Sequence, residues 1–171
     1  MNIDPYRHVD FDKSDEIEIG GLSAGLTACV DYWQSLRSGD ALPAWKDVDL
    51  PAIPSNVLPL VTVVDIDWRH GAIDGDAIRY RYWGTAHVRA KNIERTGQTI
   101  SEHSSRSHVV TAEYLRVLTE RRPIAFVKNI RINEPWHAVV QTSVRLPLSN
   151  DGNRVDQVLS ASEWTDILGA A

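Results

Sequence analysis

Three consecutive β-patterned stretches at the end of the chain, Ile124–Ile132, Trp136–Leu148 and Val155–Trp164, constrain the fold most. In the second, Trp136, Ala138, Val140, Thr142, Val144 and Leu146 alternate with His137, Gln141, Ser143 and Arg145. That two-residue period describes a strand with one buried face and one wetter face. Asn150-Asp151-Gly152-Asn153 supplies a hairpin turn between the last two strands. Strands that run in a block, with no helix between them, indicate a mainly antiparallel sheet and an α+β class.

Earlier in the chain, Leu22, Leu26, Cys29, Val30, Trp33 and Leu36 fall on one helical stripe, ended by Gly39. Pro43, Pro51 and Pro54 punctuate the connector that follows. Leu58–Ile66 and Ile78–Trp83 read as a hairpin with a long loop that includes the Asp74-Gly75 turn. Residues 85–105 read as short helices and loops. Ser107–Arg122 reads as a helix with Val110, Tyr114, Val117 and Leu118 on one face, stopped by Pro123. The expected architecture is a five-stranded antiparallel sheet with short helices on one face, preceded by an N-terminal amphipathic helix. Its expected divisions are an acidic flexible lead-in at 1–19, the helix and connector at 20–56, and the sheet domain at 57–168.

The 171 residues are enough for one domain with a real core, and 43% hydrophobic with 24% charged residues is ordinary globular usage. A formal charge of −5 provides no global basic field for nucleic acid. The longest apolar run, around Leu58–Val64, is too short to span a bilayer, and the first residues do not read as a signal peptide. The lone Cys29 excludes an internal disulfide and argues for a reducing, cytoplasmic setting.

Motifs that would carry chemistry are weak. Gly20-Gly21-Leu22-Ser23-Ala24-Gly25 precedes a helix but matches neither a dinucleotide nor a Walker loop, so it reads as capping. His103 and His108, with Glu102, lack the spacing that places two imidazoles on one helical face, and no metal is expected. Asp65 and Asp67 share a strand face and read as solvent-facing. No arrangement for nucleophilic catalysis stands out, and the expectation is a non-enzyme.

Three segments carry a resemblance. They are Tyr32-Trp33-Gln34-Ser35-Leu36-Arg37-Ser38-Gly39 running into Leu42-Pro43, then Tyr80-Arg81-Tyr82-Trp83-Gly84-Thr85, then Leu146-Pro147-Leu148-Ser149-Asn150-Asp151-Gly152. In this order, over about residues 28 to 165, they resemble a family of stand-alone bacterial PAS-like proteins, PAS family five. The resemblance implies a PAS fold and a sensory or regulatory role, with signalling through a protein partner or the chain's own dimer. It also places a small-molecule site between sheet and helices. The aromatic strand faces then make Tyr80, Tyr82, His87, Phe126, Trp136 and Val140 the candidate pocket. Leu22, Leu26, Val30 and Trp33 are candidates for a homodimer interface, or else pack on their own sheet. A flavin photoadduct is not expected, because Cys29 lies in the wrong helix, and haem on His87 or His108 is disfavoured for want of an attachment motif. The alternative function is a ligand-free protein-interaction adaptor.

Overall fold

Ser23 starts the first helix by accepting a hydrogen bond from the Leu26 N–H at 3.3 Å, which satisfies one of the orphan donors of a helix N-terminus. The computed structural model describes residues 9–11, 13–91, 93–102, 106–133 and 136–166, and within it α1 spans Ala24–Ser35. Leu26, Cys29 and Trp33 are its buried side chains. The connector that follows is a series of short 3₁₀ turns rather than open coil, at Trp45–Asp47, Leu50–Ala52 and Leu58–Leu60.

The strands are β1 (Val9–Asp10), β2 (Asp15–Ile17), β3 (Thr62–Ile66), β4 (Ile78–Trp83), β5 (Ile124–Asn133), β6 (Trp136–Leu148) and β7 (Gln157–Asp166). They build one sheet of order β1-β5-β6-β7-β3-β4, with β2 also on β5, and all its pairings are antiparallel. The five expected strands are present, and from α1 onward the helices and strands follow the expected order. The expected count of five is corrected to seven, because two short strands from the acidic lead-in occupy the outer edge of β5. An edge strand offers a row of unpaired N–H and C=O groups, and Asp15, Glu16 and Ile17 pair with Val127, Phe126 and Ala125 along it.

The short helices lie on one face, as expected, and α1, whose placement the sequence leaves open, covers the other. Side chains alternate across a strand, so Val144, Leu146 and Leu148 on β6 face opposite to Ser143 and Arg145. Leu146, Leu148 and Leu159 pack with Cys29 and Trp33 of α1. The other face lies under α3 (Ser107–Glu120), whose Glu113 reaches Arg145, and under α2 (Thr85–Lys91), whose His87 packs on Trp83 and Trp164. The sheet is therefore the middle layer of three. α3 ends where Arg121 takes a left-handed conformation (φ 53°) and its N–H caps the Val117 carbonyl.

The passage from β4 into α2 depends on Gly84. Its N–H donates to the Val61 carbonyl at 2.9 Å, and a Cβ there would stand 2.3 Å from the Pro59 carbonyl oxygen and 2.7 Å from that of Val61. These are backbone atoms and cannot swing aside. Gly84→Ala is expected to cost about 1–3 kcal/mol through forced backbone displacement. Urea denaturation should show a lower midpoint at unchanged slope, and a change under about 0.5 kcal/mol would refute the close approach.

Candidate functional site

The two sheet faces differ in chemistry. Toward α1 the central strands present Val144, Leu146, Leu148, Leu159 and Ala161, all buried and apolar. Toward α3 they present Lys128, Gln141, Ser143, Arg145, Ser160 and Ser162, all buried and polar, set among the buried apolar Ile124, Phe126, Ile130, Val139 and Val158. Buried polar groups are costly unless they are hydrogen-bonded or paired, so a face of this composition needs partners. The wetter face expected of β6 is thus not in water; it is roofed by α3.

Glu113 is the principal partner from the helix. It lies three residues after Val110 and four before Val117, on the same buried stripe of α3. One carboxylate oxygen accepts from the Lys128 ammonium at 2.7 Å; the other accepts from Arg145 Nε at 2.8 Å and from its Nη2. The remaining Arg145 arm donates to the Ser160 hydroxyl at 2.8 Å, and the guanidinium lies 4.0 Å from the centre of the Tyr114 ring. The side chains of Glu113, Lys128 and Arg145 are only 2%, 5% and 6% exposed. Burial pushes the Glu113 carboxyl up, but Arg145 and Lys128 outweigh it and hold it at about 2. Burial, reinforced by Arg145, lowers the Lys128 ammonium despite its pairing with Glu113. For Arg145 burial works against the charge, but Glu113 reverses that and raises it.

Beside this triad lies an aromatic group. Tyr80 meets Trp83 edge to face at 4.8 Å, Trp83 lies 4.8 Å from the His87 ring, and His87 meets Trp164 edge to face at 5.6 Å. His87 Nε2 lies 3.0 Å from the Leu60 carbonyl, which can only accept, so that nitrogen carries a proton. Plain alternation would put Tyr80 and Trp83 on opposite faces. A bulge in the β3–β4 ladder, where Val63 faces Tyr82 but Val64 faces Tyr80, brings them to the same side.

The sequence-expected pocket residues consequently divide between the faces. Tyr80, His87 and Phe126 are buried on the α3 side. Tyr82 pairs with Val63, and Val63 with Leu159, so by register Tyr82 belongs to the α1 side. Val140 shares the β6 face of Val144 and Leu146 and belongs there too. Trp136 pairs with Asn133 at the start of β6, and its side chain lies outside the described residues. Of the candidate dimer stripe, Leu26 and Trp33 are buried against the chain's own sheet, and Leu22 and Val30 pack half-buried on the same core. The helix covers the sheet in cis, with Val48 and Ile53 of the connector beside it. The Cys29 thiol, buried there, is pushed up to about 11 by burial and by the nearby Glu163.

Of the histidines considered as ligands, His108 is exposed at the start of α3, while His103 lies outside the described residues. Asp65 accepts from Arg81 at 2.9 Å and Asp67 from Arg69 at 3.1 Å, so both acids sit in surface ion pairs. Glu113 and Lys128 were not singled out by sequence, although both interrupt an apolar pattern. Lys128 stands between Phe126 and Ile130 on one strand face, as Glu113 stands on the α3 stripe. A cleft of about 320 Å³ opens beside α3, and Lys13, Glu16, His108, Glu113, Arg116 and Phe126 are among the residues that line it.

No protein-family model matches the chain, and the search of curated proteins returned no match. Among solved structures the chain is similar to an RNA-binding light-oxygen-voltage receptor, with 16% identity and a TM-score of 0.40. The match covers 88% of this chain and 38% of the receptor chain. No helix among the described residues is long and apolar enough to cross a membrane.

Proposed function

We propose that the chain is a PAS-like sensory or regulatory module that binds a small polar molecule between its sheet and the roof formed by α2 and α3. The observation that carries this reading is the buried polar face under α3, where Lys128, Gln141, Ser143 and Arg145 stand on central strands. An apolar face would serve packing alone, as the α1 side does. The three-segment resemblance supports the sensory role. Signal output runs through β2: Glu16 accepts from Arg116 of α3 at 2.5 Å and from Arg122 at 3.2 Å, so displacement of α3 strains the β2–β5 edge. A ligand shifts this only if it favours one arrangement of α3 over another.

Native mass spectrometry and thermal shift against a panel of neutral, cationic and anionic metabolites test the reading. A co-purifying molecule, or saturable stabilisation by one class, is expected. Failure of every class in both assays would sink it. The pairing of Glu113 with both Lys128 and Arg145 favours a second reading, a ligand-free protein-interaction adaptor, since the face then carries its own partners. A specific protein partner captured with the metabolite site silent would select that one.

A further inference from the structure

Glu113 is one acid set between two bases. With all three groups ionised, the buried cluster of Glu113, Lys128 and Arg145 carries one positive charge in excess. An uncompensated charge out of water is expensive, so the excess calls for a counter-charge or for loss of a proton. Two features around the cluster favour a counter-charge from outside. The Ser143 hydroxyl, 2% exposed and without a hydrogen-bond partner among the described residues, stands on β6 between Gln141 and Arg145 on the α3 side. It is directly opposite Phe126, which with Glu113 lines the cleft beside α3. Lys13, His108 and Arg116 line that cleft too, with Glu16 and Glu113 as its acids. Lys128 has three ammonium donors and places one on Glu113.

We propose that the α3-facing side of the sheet binds a small oxyanion, a carboxylate or phosphate group, with Lys128 and Arg145 supplying the charge and Ser143 a hydroxyl donor. This names the ligand class of the site proposed above and rests on that reading. Burial, and after it the neighbouring Arg145, lower the Lys128 ammonium. An anion placed beside Lys128 would favour its charged form.

The test is thermal shift and calorimetry on the full chain with sodium succinate, acetate and inorganic phosphate, each against sodium chloride at equal ionic strength. Saturable stabilisation by at least one of the three beyond chloride is expected, and whichever acts identifies the carboxylate or the phosphate branch. Lys128→Met leaves the neutral Glu113–Arg145 pair and keeps the volume of the side chain, so it should fold. It is expected to weaken binding about 10- to 100-fold, the loss of one charge-assisted hydrogen bond. Ser143→Ala, with intact circular dichroism, should weaken it several-fold, as a neutral donor does. Stabilisation that tracks ionic strength alone, or survives undiminished in Lys128→Met, overturns the inference. A neutral or cationic compound that binds Lys128→Met as well as the native chain would do the same while leaving the broader binding proposal standing.

Discussion

Glu113→Gln is expected to cost about 3–5 kcal/mol of folding stability at neutral pH, the usual consequence of removing one partner of a buried ion pair. The substitution keeps the shape of the side chain, so the loss would not come from a cavity. It leaves Lys128 and Arg145 both buried beneath α3 with no carboxylate between them. The pH dependence has a definite sign. The folded Glu113 carboxyl is held at about 2, below its ordinary 4.5, so its contribution is complete above about pH 4.5 and is lost as pH falls from there towards 2. Urea denaturation of the native chain and of Glu113→Gln across that range should therefore show two curves converging on the acid side. Parallel curves, or a neutral-pH difference under about 1 kcal/mol, would mean the triad does not hold α3 to the sheet.

Trp33→Ala should be comparably severe, at about 3–5 kcal/mol. Its ring is buried against Leu146, Leu148 and Leu159, and its indole N–H donates to the Pro147 carbonyl at 2.7 Å. Truncation leaves both a void and an unpaired carbonyl in the layer between α1 and the sheet. Trp33→Phe separates the two contributions, because it keeps most of the ring and forfeits the hydrogen bond. The same variant arbitrates the role of the α1 stripe. A chain that stays as stable as the native one but changes its mass in solution would show that Trp33 serves a second subunit. Loss of stability at constant assembly is the result that the cis packing requires.

The strand block at the end of the chain was legible because alternation along β5, β6 and β7 is dictated by neighbouring residues on one strand. So were the two longer helices, whose stripes, Ser23 cap and Pro123 stop are local. The β1 and β2 additions were not. Val9–Asp10 and Asp15–Ile17 carry little apolar pattern of their own, and they are strands because the distant edge of β5 supplies their hydrogen bonds. The bulge opposite Val63 and Val64 was equally silent, since it exists only in the pairing of two strands. It decides that Trp83 joins Tyr80, and that Tyr82 does not.

Alternation alone divides β6 into an apolar set with Val140 and Leu146 and a polar set with Gln141 and Arg145. It could not say which set faces which helix, because periodicity carries phase but no direction. Tertiary structure made that choice. α1 covers the apolar set, and α3 brings Glu113 down onto the polar one. The charged side under α3 also holds Tyr80, His87 and Phe126 of the expected pocket. The physical reason is that Lys128 and Arg145 can be buried only where an acid from another element reaches them, and that element is 15 and 32 residues away in the chain.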